Sequence, residues 1–210
     1  MVQAAAAPIS EFLSPDRAPA DELARQQQLV ASQAQLVTVA DAVPQPVAAI
    51  NAQRQLVFLN AAGLGMLGIR SVAELDGARP GEALGCEVAA RAPGGCGTAR
   101  ECRDCGAVLS VLEARRRGQA SHTCVISRGA GPLPLDLEVA SRLIEAEGEP
   151  FVLATLIDQH HERRRRVLER LFFHDVLNTA GGLLGLGEAN LASMETASGD
   201  SRELSRLMVS

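Results

Sequence analysis

The sequence contains no lysine, no tryptophan and no tyrosine, and only 5 of its 210 residues are phenylalanine. Aromatic platforms on which bases or planar cofactors stack would therefore depend on phenylalanine alone. The formal net charge of −5 argues against a protein that binds nucleic acid, because such proteins present a clustered positive field to phosphates. The composition, 47% hydrophobic and 21% charged, is typical of a globular protein. The chain is long enough for one domain plus extensions.

The sequence also lacks long apolar runs. No stretch approaches the roughly 20 apolar residues that a membrane-spanning helix needs. Residues 1–9 contain no basic residue before their alanines, so they do not predict a secretory signal. We therefore expect a cytoplasmic protein with no membrane partner. Because cytoplasmic thiols are kept reduced, its 5 cysteines favour metal ligands or redox groups over structural disulfides.

Two segments precede the first predicted strand. Residues 1–20 are rich in alanine, proline and serine and predict a flexible arm. Residues 21–43 contain neither proline nor glycine and predict an N-terminal helix. Leu29, Leu36 and Val43 recur every seven residues along it, a spacing that suits pairing with another helix or packing on the same domain.

The middle of the chain alternates between strand and helix signals. Val47–Ile50 and Leu56–Leu59 predict two strands joined by a polar turn, and Asn60 predicts the cap of a helix that runs through Leu67. Residues 68–118 predict short helices and glycine-rich loops, and residues 120–158 return to strands. The pattern predicts an α+β fold, a five-stranded antiparallel sheet with helices on one face, flanked by the N-terminal helix and a C-terminal dimerisation helix.

This pattern resembles the PAS sensor fold, with the domain itself at residues 44–160. The resemblance depends on four pieces in order: Asp41-Ala42-Val43-Pro44 before the first strand, Asn51 in the turn, Asn60-Ala61-Ala62 at the first helix, and Ile157-Asp158 at the last strand. It implies a domain that senses a signal.

Four cysteines are concentrated in the predicted helical middle. Cys86, Cys96, Cys102 and Cys105 have the spacing C-x9-C-x5-C-x2-C, and four thiols satisfy a tetrahedral metal site. A structural zinc, an iron–sulfur cluster and a thiol/disulfide switch all fit this donor set. A sensor needs a group that changes state, which favours the cluster because Zn²⁺ has no redox chemistry.

The remaining candidates for ligands are weaker. Gly106 follows Cys105, so the C-x-x-C-H pattern of attached haem is not present. His122 is a single histidine in a predicted strand and is expected to find a local partner. Cys124 is expected to be a small buried core residue.

The segment from Gln159 onward predicts one long helix. Offsets of four, seven and eleven residues return to the same side of a helix, so Asn178, Gly181 and Gly185 share a face with His174, opposite an apolar arc that contains Phe172. A histidine on such a face is accessible to a partner protein.

The stretch Phe173-His174-Asp175-Val176-Leu177-Asn178-Thr179 resembles the phosphoacceptor box of sensor histidine kinases. The resemblance implies that His174 accepts the γ-phosphoryl group of ATP, that Asp175 acts as its acid/base partner, and that Asn178 positions water for dephosphorylation.

No glycine-rich ATP-binding segment follows, so we expect residues 161–210 to be a signalling helix and the start of a phosphotransfer and dimerisation domain in a longer kinase, inactive without its ATP-binding domain. The expected partners are a second copy, that ATP-binding domain and a response-regulator receiver domain. The alternative is a non-catalytic dimeric PAS scaffold with a structural zinc.

Overall fold

The computed structural model describes residues 10–128, 134–159, 172, 174 and 176–179. The chain divides into two compact units, Met1–His160 and His161–Ser210. Most of the predicted signalling and dimerisation segment, Asp175 included, lies outside the described residues, as do residues 1–9 of the predicted arm. Within the second unit, residues 172, 174 and 176–179 are helical.

The first unit contains six α-helices and five strands among its described residues. In chain order they are α1 Ala20–Ser32, α2 Ala34–Asp41, β1 Val47–Ile50, β2 Leu56–Leu59, α3 Ala61–Leu67, α4 Pro80–Ala83, α5 Glu87–Arg91, α6 Gly106–Arg117, β3 Gln119–Ile126, β4 Leu135–Ala146 and β5 Glu149–Asp158. Two short 3-10 helices cover Val72–Leu75 and Arg100–Asp104. No helix in this part of the chain is long and apolar enough to cross a membrane.

The five strands form one antiparallel sheet in the order β2-β1-β5-β4-β3. The predicted α+β class and five-stranded antiparallel sheet are confirmed. β1 and β2 are buried along their whole length, because each lies in the sheet with a packed layer on both faces. This explains why both strands are continuous apolar runs instead of alternating ones.

One face of the sheet, which we call the inner face, packs against α6. Val111 and Ala114 of this helix belong to the same buried cluster as Leu137 and Val139 of β4. A buried polar contact fixes the register, since the Ser110 hydroxyl lies 2.8 Å from the carbonyl oxygen of Val139 and 2.7 Å from the Ser141 hydroxyl. Helix α6 and strand β4 are therefore held together by apolar contact and by hydrogen bonds.

The outer face is covered by α1 and α2. The single helix predicted over residues 21–43 is divided in the structure at Gln33, whose ψ of 71° is not helical. Val30 is fully buried, and Leu29, Leu36 and Val43 pack against the same cluster as Phe151 of β5. The residues of the seven-residue repeat therefore pack on their own domain. This is one of the two arrangements that the spacing allows, the other being pairing with another helix.

Asn60 joins the N-terminal helices, the sheet and α3. It is fully buried, and its side-chain oxygen accepts hydrogen bonds of 2.9 Å from the amides of Val47 and Gly63. The second of these bonds caps α3, as the sequence predicts. The side-chain nitrogen donates to the carbonyl oxygen of Ala40 near the end of α2 and to those of Val43 and Gln45 in the α2–β1 connection.

We expect Asn60→Ala to lower the free energy of unfolding by about 2–4 kcal/mol, because it leaves several buried backbone groups without partners. Urea denaturation measures the change. Ser71→Ala is the matched control: Ser71 caps the exposed Val72–Leu75 turn with one 3.2 Å bond, and its loss should cost about 1 kcal/mol or less. Equal losses in the two variants would contradict the role given to Asn60.

Candidate functional site

Four cysteines surround one cavity between the sheet and the helical middle. Cys86 precedes α5, Cys96 lies in the loop after it, Cys102 is in a 3-10 turn, and Cys105 precedes α6. The cavity has a volume of about 80 Å³, and all four predicted cysteines line it. The rest of its wall is mainly apolar and includes Ile50, Leu56, Val111 and Ile126. The four predicted cysteines therefore share one cavity wall, but among the described residues no three Cys, His, Asp or Glu side chains are grouped to hold a metal ion.

Backbone amides act to lower the pKa of three of the four thiols. The amide of Gly81 does so at Cys96, those of Gly97 and Ala99 at Cys102, and those of Ala107 and Val108 at Cys105. Ala107 and Val108 lie in the first turn of α6, whose amides have no partner within the helix. Amide donors around sulfur stabilise thiolates and hold metal ligands in orientation.

The pKa values of Cys96 and Cys102 are raised, so these two thiols are protonated near neutral pH when no cation is present. Burial raises the pKa of Cys96 to about 12, and the nearby Cys102 and Cys105 raise it further because like charges repel. Burial also raises the pKa of Cys102. A bound cation offsets both effects, so metal binding at this site would release protons.

Cys124 adds a fifth thiol that sequence reasoning assigned only to the core. It is buried in β3, as predicted, but its sulfur also lies 3.6 Å from that of Cys105. The hydrogen bond between them lowers the pKa of Cys105 to about 6 and raises that of Cys124.

The close approach of α6 to β3 produces this contact. A side chain at Gly106 would place its Cβ 1.9 Å from the carbonyl oxygen of Thr123, a distance that real atoms do not adopt. Gly106 therefore allows the start of α6 to rest directly on β3, and Cys105 and Cys124 are the chain neighbours of these two residues. In the sequence, the glycine that follows Cys105 is the one feature that could have indicated the contact between Cys105 and Cys124.

Arg79 is hydrogen-bonded to the loop that carries Cys96. The side chain is fully buried, and its guanidinium donates five hydrogen bonds of 2.6–3.1 Å, to the carbonyl oxygens of Gln53, Gly94, Cys96, Pro15 and Asp16. Burial, together with the nearby Arg54 and Arg17, lowers its pKa to about 10, so it stays charged near neutral pH. Arg79 thus connects the cysteine loop, the β1–β2 turn and the segment before α1.

The segment before α1 lies on the cysteine loop. We call residues 10–19 the arm; the sequence predicts them, with residues 1–9, to be flexible. The amide of Glu11 donates to the carbonyl oxygen of Thr98 at 2.8 Å, and that of Leu13 donates to Gly97 at 3.2 Å. Arg103 donates to the carbonyl oxygen of Glu11 at 2.7 Å. The described part of the predicted arm is therefore attached through its main chain.

His122 has a local partner. Its Nε2 lies 3.1 Å from a carboxylate oxygen of Glu113 on α6, and neither residue lines the cysteine cavity. This agrees with the expectation that His122 is satisfied locally and gives no support to haem ligation.

His174 and Asn178 lie on one exposed face of the helix in the second unit. The amide nitrogen of Asn178 is 3.1 Å from Nδ1 of His174 and 3.3 Å from Nε2. The four-residue offset in the sequence predicts this proximity. Both residues are exposed, and Asp175, the third residue of the predicted phosphoacceptor site, lies outside the described residues.

No family model matches the chain, and no curated protein matches it. Among solved structures, a PAS domain from a two-component sensor histidine kinase shares 10% identity over 61% of this chain and 97% of that chain, with a TM-score of 0.41.

Two further solved structures are similar. The PAS domain of Bordetella pertussis BvgS shares 16% identity over 66% of this chain and 96% of that chain, with a TM-score of 0.42. The PAS domain of an HTR-like protein from Haloarcula marismortui shares 17% identity over 61% and 98%, with a TM-score of 0.41. The chain's own strand order, β2-β1-β5-β4-β3 with a helical middle between β2 and β3, makes its fold PAS-like, as the sequence predicts.

Proposed function

We propose that this chain is the sensor and phosphoacceptor portion of a two-component histidine kinase, located in the cytoplasm, in which a centre held by Cys86, Cys96, Cys102 and Cys105 controls phosphorylation of His174. The observation that carries the proposal is that these four cysteines line one apolar cavity inside the PAS-like fold. The signal would be redox state, oxygen or metal availability, and a response-regulator receiver domain would take the phosphoryl group.

The need of a sensor for a group that changes state favours an iron–sulfur cluster over a single zinc ion. Four thiolates hold either group. The four cysteines line the wall of a cavity of about 80 Å³, but no three Cys, His, Asp or Glu side chains of the described residues are grouped to hold a metal ion. An iron–sulfur cluster occupies more space than one ion and, when bound, would supply reversible electron transfer.

The protein's own residues would hold the thiolates and exclude water. The amides near Cys96, Cys102 and Cys105 would stabilise the thiolates, and the apolar wall of the cavity would limit the access of water to them. Of these thiols, Cys105 is attached directly to α6. A displacement of Cys105 would therefore move a helix that is hydrogen-bonded to β4 through Ser110.

From β4 a change can pass to the last strand of the sheet. β4 and β5 are paired along ten residue pairs, from Ala146↔Glu149 to Leu137↔Asp158. β5 is the last strand before the segment that carries His174. We propose that this strand passes the state of the cysteine centre to that segment, where His174 would accept phosphate with Asp175 as acid/base partner and Asn178 positioning water for its removal.

Anaerobic purification followed by metal and sulfide analysis tests the centre. We expect a brown protein that contains iron and acid-labile sulfide, and a loss of nearly all iron in Cys102→Ala, since four cysteines are needed to hold the cluster. Cys124→Ala is the control, because it removes a buried thiol that does not line the cavity, and it should retain iron.

Other outcomes decide against the proposal. A colourless protein with one zinc per chain would support the alternative, a dimeric PAS scaffold with a structural zinc. A chain free of both metals after anaerobic preparation, or equal iron in wild type and Cys102→Ala, would show that the four cysteines do not form a metal centre.

A further inference from the structure

Cys105 and Cys124 form a pair of neighbouring thiols on two different elements. Cys105 is the last residue before α6, and Cys124 lies in β3. Their sulfur atoms are 3.6 Å apart, and both thiols are free. A disulfide bond is about 2.0 Å long, so an approach of about 1.6 Å separates this contact from a covalent bond.

The backbone holds the two cysteines in this position. A Cβ at Gly106 would collide with the carbonyl oxygen of Thr123, so the start of α6 already lies as close to β3 as the backbone permits. Further along the helix, Ser110 is hydrogen-bonded to Val139 of β4, and β4 is paired with the whole length of β3. The small approach of the sulfurs can therefore come from rotation of the side chains, without separation of the two elements.

The two thiols differ in their access to an oxidant. Cys105 lines the cavity of about 80 Å³, whereas Cys124 does not line it and is only 4% exposed. The cavity wall is mainly apolar, so a charged oxidant would lose its hydration there at a far greater cost than a neutral hydroperoxide. A small neutral oxidant that enters the cavity therefore meets Cys105 first, with the sulfur of Cys124 in contact behind it.

We propose that Cys105 and Cys124 are a thiol pair that hydrogen peroxide oxidises to a disulfide. In the first step the sulfur of Cys105 bonds to one peroxide oxygen, the O–O bond breaks, and the other oxygen leaves as water with the thiol proton. Cys105 is then a sulfenic acid. In the second step the sulfur of Cys124 bonds to that of Cys105, the S–O bond breaks, and a second water leaves with the proton of Cys124. The two sulfurs are oxidised and the peroxide is reduced to water.

This pair needs no metal and includes a cysteine outside the four predicted ligands, so it goes beyond the proposed function. It also has a consequence for those ligands. A Cys105 that is bonded to Cys124 is no longer available as a thiolate ligand. Oxidation of the pair and loading of the four-cysteine centre would therefore exclude each other.

Disulfide mapping of the purified chain tests the pair. The chain is reduced, freed of reductant in the presence of a chelator and treated with hydrogen peroxide, and the remaining thiols are then alkylated. Trypsin places each of the 5 cysteines in a peptide of its own, because arginines separate them all. In the monomer band of a non-reducing gel, we expect residues 104–115 to be linked to residues 118–128, with the loss of two hydrogen atoms.

Variants separate the contact from general thiol reactivity. Cys124→Ser should abolish the linked peptide and leave Cys105 as a sulfenic acid, which dimedone traps. Gly106→Ala keeps both thiols but forces α6 away from β3, and it should lose most of the linked peptide. Gly65→Ala is the matched control, since a Cβ there meets no atom within 4 Å, and it should behave like wild type.

Unlinked peptides in the wild-type monomer, or Cys105 linked to a cysteine other than Cys124, would overturn the proposal. An undiminished linked peptide in Gly106→Ala would contradict a pairing that depends on the contact of α6 with β3. If Gly106→Ala does not fold by circular dichroism, the mapping of wild type and Cys124→Ser decides. Iron analysis tests the four-cysteine centre separately, so failure of that centre and failure of the thiol pair are distinguishable.

Discussion

His174→Gln is expected to abolish phosphorylation of this chain when ATP and a separately purified histidine-kinase ATP-binding domain are supplied. A neutral imidazole near neutral pH is a competent nucleophile, whereas the lone pair of an amide nitrogen is delocalised. In the proposed reaction the ring nitrogen would bond to the γ-phosphorus while the bond to the β-phosphate oxygen breaks and ADP leaves, and the proton released from the ring would pass to Asp175, the next residue in the sequence.

The measurement is incorporation of radiolabelled phosphate that is acid-labile and alkali-stable, as phosphohistidine is. His122→Gln is the matched control, because His122 is paired with Glu113 inside the first unit and should leave incorporation unchanged. Label that persists in His174→Gln would place the phosphoacceptor elsewhere. Absence of label in the wild-type chain would favour the non-catalytic scaffold.

The second large effect is expected at Arg79. Arg79→Met should lower the free energy of unfolding by about 3–5 kcal/mol, because methionine fills similar space but leaves five carbonyl oxygens without their buried donor. Urea denaturation with reductant and chelator present measures this loss apart from metal binding.

Arg103→Met is the matched control. It shows whether the loss of stability in Arg79→Met is specific to Arg79 or follows from removing any arginine in this region. Arg103 is exposed and donates one hydrogen bond to the arm, so its replacement should cost less than about 1 kcal/mol. Hydrogen exchange provides a second readout, since the amides of Glu11 and Leu13 should lose protection in Arg79→Met. A stability change below about 1 kcal/mol in Arg79→Met would show that the five contacts contribute little.

The sheet and the first helix cap were accessible to sequence reasoning because their causes are local. Val47–Ile50 and Leu56–Leu59 are short apolar runs bounded by turn residues, and Asn60 precedes a helical stretch whose first amides need an acceptor. The division of the N-terminal helix at Gln33 was not accessible. No proline or glycine marks it, and the two helices are divided only by the non-helical ψ of Gln33.

Spacing predicted four cysteines that line one cavity but not the residues around them, and the metal site itself stays a prediction. Spacing identifies Cys86 and Cys105 as members of one set, but pairing of Cys124 with Cys105 depends on how α6 lies on β3. Arg79 was missed because an arginine in a sequence normally indicates exposed surface. Only the folded chain shows that the acceptors of Arg79 come from three separate segments.

The attachment of the arm has a consequence for how related sequences should be compared. The arm is held through the carbonyl oxygens of Glu11, Ser14, Pro15 and Asp16, which accept from Arg103, Arg54 and Arg79. A carbonyl oxygen is the same in every amino acid, so mutations can accumulate in the arm without detaching it. We therefore expect that the presence of all three arginines in a distant relative indicates an arm bound in the same way. This holds even where the sequence of the arm has diverged too far to be aligned.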